Sequence, residues 1–237
     1  MINLTHIESI ITALSLLSAY LVSTTLSGAG QAFVSQKMGD DSAKDAGLLS
    51  LNPLDHIDPV GIVLIIILGF GWGRQIPLDP AAVRQPYRTA RLICIYCTET
   101  VISLILAFTS LIVLLVSFGT YPLVFAIQMF FSGNVPLKPF TEVFPNYSSL
   151  MIVCAFILMG FVFFNIFIAS LSFILNGFRY ALVVGGEKKY DYMKYADYLM
   201  FIGPMIVFFF FADPLRSLFL TITVKSAYAL GHIIGVV

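Results

Sequence analysis

The chain has 237 residues, of which 59% are apolar and only 11% charged, with a mean hydropathy of +0.93. A soluble domain carries about 25% charged residues, so this balance excludes one, and it equally excludes disordered and fibrous chains. Thirteen basic and thirteen acidic residues leave zero formal net charge, so no overall field draws nucleic acid or another polyanion.

Taken in chain order, the apolar runs predict an all-α polytopic membrane protein of one domain over residues 1–237. A helix needs roughly 20 apolar residues to cross the bilayer. Four runs meet that length, at 10–34, 92–118, 150–175 and 199–220. The N-terminus lacks the basic stretch of a signal peptide, so the first run is expected to stay as a span. A fifth run, 60–72, is too short. It begins after Asp58-Pro59 and carries Gly69, Gly71 and Gly73, which predicts a re-entrant or interfacial hairpin.

The basic residues support four crossings. With the hairpin returning to its own side, one face collects Lys37, Lys44, Arg74, Arg84, Arg88, Arg91, Arg179, Lys188, Lys189 and Lys194, and the opposite loop has Lys138 alone. Cytoplasmic loops collect Lys and Arg, so both termini are expected outside, in a bacterial cytoplasmic membrane. Tyr190, Tyr192, Tyr195 and Tyr198 suit headgroup depth, as an interfacial helix or an ordinary anchored loop. The tail 226–237 is too short to span. Cys94, Cys97 and Cys154 lie in apolar runs and are expected to act as small buried hydrophobes.

Residues 37–80 carry a distinctive pattern. Met38-Gly39-Asp40, Ala43-Lys44, Asn52-Pro53-Leu54-Asp55-His56-Ile57-Asp58-Pro59 and Phe70-Gly71-Trp72-Gly73-Arg74-Gln75-Ile76-Pro77 follow one another in order. This stretch resembles the one that follows the zinc motif in small prokaryotic site-2-protease-type intramembrane metalloproteases. The resemblance implies that family's helical core, and it implies where the catalytic groups should stand. Two histidines and a glutamate in H-E-x-x-H would fall on Ser27-Gly28-Ala29-Gly30-Gln31, and the third-ligand aspartate of L-D-G on Asn176 in Leu175-Asn176-Gly177. The family's A-G-P-x-x-N falls on Cys97–Ile102 and is also lost.

A catalytic zinc needs about three N, O or S ligands and an open position for water. Ser27, Gln31 and Asn176 offer a hydroxyl and two neutral amides, and Gly28 offers no base. The expectation is a catalytically inactive pseudoprotease with no metal and no cofactor. Asp55, His56 and Asp58 make a conceivable hard N/O set, against a reading as turn-capping hydrogen bonds.

The altered face suggests a binding role instead. Ser23, Ser27 and Gln31 recur every four residues with Gly28 and Gly30 beside them, and small residues at that spacing let helices approach closely in lipid. Glu99, the acid well inside a span, is expected either to join Asn176, Gln31 or Ser27 or to reach back to Arg88 or Arg91. The expected partner is the transmembrane helix of another membrane protein. The alternatives are a divergent intramembrane zinc metalloprotease and, third, a small transporter or channel component.

Overall fold

Long helices at this apolarity need no caps to persist, because in lipid every backbone group must be satisfied within the segment. The computed structural model describes residues 7–120, 123–124, 127, 147–184, 217–218 and 220–235. Its elements are α1 (Ile7–Met38), α2 (Ser42–Asp45), α3 (Pro53–His56), α4 (Pro59–Leu68), α5 (Arg88–Phe118) and α6 (Ser149–Val184). No sheet occurs among the described residues; one isolated antiparallel bridge joins Ile57 to Gly73.

Among the described residues three helices are long and apolar enough to cross a membrane: Ala13–Met38, Arg88–Phe118 and Ser149–Val184. They run past the expected bounds because the polar ends stay helical, which the apolar count alone does not register. The run at 199–220 lies almost wholly outside the described residues, as do Tyr190–Tyr198. The boundary at 220 falls at the start of a helical stretch, 220–234. Its Ala227 is fully buried, and Gly231 packs against the Thr120 hydroxyl. The tail is therefore docked on the end of α5.

α5 runs antiparallel to both α1 and α6. Met38 O accepts from Arg84 N–H just before α5 begins. Gly160 of α6 sits against the Ser15 backbone, where an added Cβ would meet Ser15 O at 3.0 Å. Further along, Asn165 Nδ2 donates to Ser23 Oγ at 2.8 Å. Tyr20, Leu114, Leu115, Phe156 and Phe164 fill the space between. All three cysteines are free. The departure from expectation is in their burial: Cys94 and Cys154 are exposed, since they fall on the outward faces of α5 and α6.

The 59–72 segment is half helix and half extended return. Pro59 opens α4, and Asp58 caps it by accepting from Val60 and Gly61 N–H at 2.9 and 2.8 Å. Gly69 closes it in the left-handed region, at φ 78°, which only glycine adopts without steric cost. The extended return then lies directly on α4. An added Cβ on Gly61 would collide with Trp72 O. The Ile57–Gly73 bridge and the Arg74 N–H to His56 O bond, at 2.8 Å, close the base.

The connection then climbs back to the end of α1. There the fully buried Asp40 carboxylate accepts from Ser35 Oγ, Ser42 N–H and Oγ, and Asp79 N–H, all within 3.0 Å. Residues 40 and 79 are thus in contact, and everything between them leaves and returns to one end of the bundle. Single cysteines introduced as Asp41→Cys and Asp79→Cys, in chains without native cysteines, should react with an impermeant maleimide from the same membrane face. Reaction from opposite faces would contradict the fold.

Candidate functional site

α1 brings Ser27 and Gln31 to one face, a helical turn apart, because residues four positions apart stack on a helix. α6 brings Asn176 opposite them, and α5 brings Glu99 between. The extended return from the hairpin, Trp72 to Ile76, supplies the remaining wall. Together these residues line a cavity of about 600 Å³, counted to its open mouth. Four positions that the alignment takes from both halves of the chain (Ser27, Gly28, Gln31 and Asn176) therefore meet in one place.

The polar groups are mostly committed to one another. Gln31 Nε2 donates to Ile95 O of α5 at 3.2 Å. Asn176 Nδ2 donates to Glu99 Oε2 at 3.3 Å. Ser172 and Arg179 also face that carboxylate, and Arg179 Nη2 donates to Gln75 Oε1 at 2.8 Å. Glu99 thus joins the Asn176 side rather than reaching toward the helix end, where Arg88 Nε donates to Pro80 O at 2.8 Å. Ser23 lies deeper, outside the cavity, and holds Asn165.

The two glycines of the altered motif are packed within the chain. A Cβ on Gly30 would collide with the Ile102 side chain of α5, and one on Gly28 would lie 2.6 Å from His56 Nδ1. His56 is buried, and its Nε2 lies 2.7 Å from Ser50 O. A carbonyl only accepts, so Nε2 carries the proton and Nδ1 is left as a bare lone pair, with no hydrogen-bond partner. The imidazole occupies the space a side chain at 28 would need. Asp58 serves as the α4 cap, and Asp55 O accepts from Arg74 Nη1 at 3.5 Å; the structure does not gather Asp55, His56 and Asp58 around a common point.

These residues do not fit zinc. The groups lining the cavity are the hydroxyls of Thr24, Ser27 and Ser172, the neutral amides of Gln31, Gln75 and Asn176, the guanidinium groups of Arg74 and Arg179, and one carboxylate, Glu99, faced by Asn176, Ser172 and Arg179. The only imidazole nearby turns its lone pair onto Gly28. Among the described residues no group of three His, Cys, Asp or Glu side chains converges. Sequence reading passed over Ser172 and Gln75. Ser172 is one turn before Asn176 and could have been found by that spacing; Gln75 carried no signal, because its position depends on the hairpin's return.

The chain is 42% identical over 101 residues to YwhC, a candidate zinc metalloprotease of Bacillus subtilis (strain 168). The two are distant relatives. The match covers 42% of this chain and 45% of YwhC, so the chain spans under half the length of the curated relative it matches. No family model and no solved structure matches it. A metalloprotease relative is what the site-2-protease-type resemblance implies, and it supports a membrane protein of that kind.

Because His56 and position 28 compete for one volume, their substitutions should be coupled. Gly28→Ala should lower the melting temperature in detergent, at a cost of roughly 1–3 kcal/mol typical of overpacking. In a His56→Ala background the same change should cost clearly less, since neighbours that share a cavity are non-additive. Equal costs in both backgrounds would refute the packing.

Proposed function

We propose that the chain is a catalytically inactive site-2-protease-like protein that serves as a binding or assembly subunit, holding a partner's transmembrane helix in a membrane complex. One observation carries the reading. The positions that the resemblance gives to zinc and its base converge on one cavity, and there they are Ser27, Gly28, Gln31 and Asn176. Hydroxyl and amide groups at membrane depth cannot balance a divalent cation, but they readily hydrogen-bond a neighbouring segment. The cavity is open, and its mouth carries Arg74 and Arg179.

The membrane topology belongs to the same reading. The basic residues Lys37, Arg84, Arg88 and Arg91 gather at the end where α1 finishes and α5 begins, which is taken as the cytoplasmic end. The 59–72 hairpin then re-enters from that side, both termini lie outside, and 199–220 supplies a fourth crossing. The small residues Gly28 and Gly30 serve the subunit's own packing, so the partner meets the cavity through Ser27, Gln31 and Glu99.

The competing reading is a zinc metalloprotease like the relative's description, with ligands from elsewhere in the chain. Elemental analysis separates the two. Purified protein should carry no stoichiometric zinc; about one zinc per chain surviving mild chelation, with cleavage of a membrane-embedded peptide, would overturn the inactive reading.

A further inference from the structure

Asn176 lines two cavities at once. One is the polar cavity described above. The other is a groove on the outer side of the α5–α6 seam, bordered by Ile93, Cys97 and Thr100 from α5 and by Phe173 and Tyr180 from α6. Ile93 and Phe173 are exposed, so the groove is open on the face that a membrane-spanning bundle turns to lipid. Nothing lies within 4 Å of where a Gly177 side chain would begin, so the seam is not filled there from α6.

We infer that the polar cavity has a second mouth, opening sideways into the bilayer between α5 and α6, and that Asn176 plugs it. Asn176 is 3% exposed although it borders both spaces. It is held across the seam by the 3.3 Å bond to Glu99, which is at the long end for such a contact. The Tyr96–Tyr180 edge-on pair, with centroids 6.3 Å apart, packs beside it. The groove side is not purely apolar either. Thr100 Oγ1 is buried there with no hydrogen-bond partner, so a polar group entering from the groove meets an acceptor and donor before it reaches Asn176. Rotation of one amide side chain would join the two spaces. Use of this opening by a partner's transmembrane segment rests on the function proposed above; the opening itself stands on the geometry.

Cys97 in the groove is a native reporter. In proteoliposomes, a chain keeping only Cys97 (Cys94→Ala, Cys154→Ala) should react slowly with a charged methanethiosulfonate. Thiol reactivity tracks access to water, so adding Asn176→Ala should raise the charged reagent's rate by about tenfold or more, while Asn176→Leu should leave it slow. Unchanged Cys97 rates in Asn176→Ala would overturn the inference. So would an equal rise at Cys154 in a chain keeping only that cysteine, because it would mark general loosening of α6. These outcomes are independent of the zinc measurement: a metal-loaded, active protein would remove the binding-subunit reading and leave the opening standing.

Discussion

The extended limb that returns from α4 is buried at residues 70–72, and buried peptide groups must find partners within the protein. Here the Tyr20 hydroxyl meets that demand. It faces Trp72 O at 3.2 Å and Asp58 O at 3.4 Å, and it accepts from Asp58 N–H at 3.3 Å. One fully buried side chain on α1 thereby holds both limbs of the hairpin at once, and its ring is fixed in turn by Phe164, edge-on at 5.9 Å. The glycine contacts of Gly61 and Gly71 bring the limbs together; the tyrosine sets their height against α1. Since the return limb forms a wall of the polar cavity, the site depends on this clasp.

The altered motif is integrated into that architecture. Position 28, where the resemblance would put a glutamate, is not a vacancy. Instead the His56 ring lies against Gly28, and its Nε2–H is anchored on Ser50. The same loop carries Asn52, which caps α3, and Asp58, which caps α4. A side chain at 28 would therefore press on the loop that sets the hairpin's starting angle. Introducing a base there is not a local exchange, and ligands introduced at 27, 31 and 176 would lack supporting contacts built for a metal.

Much of the helical plan was legible because apolar length is a strong signal in lipid. Asp58-Pro59 and Gly69 mark the bounds of α4 through ordinary capping chemistry. The resemblance set Ser27, Gln31 and Asn176 against one another, and they do share a cavity. What the sequence hid was the inward use of small residues. Gly28 and Gly30 read as a surface for another helix, yet their neighbours are His56 and Ile102, because a stripe of small residues says that something comes close and not what. The buried hub at Asp40 was equally hidden, since its partners Ser35, Ser42 and Asp79 are joined only once the hairpin brings residue 79 back.

Polarity is unevenly distributed along the bundle. Here Ser27, Gln31, Glu99, Asn176 and Arg179 all gather toward the end where α1 finishes. Below them the described core closes with Tyr20, Phe156, Met159, Phe164 and Leu115, each buried. The polar pair at that depth, Ser23 with Asn165, is satisfied internally by a 2.8 Å bond, and Asn165 Nδ2 also donates to Phe161 O. Asn165 Oδ1 has no hydrogen-bond partner among the described residues. The cavity is thus polar where α1 finishes, with aromatic side chains packed beneath it.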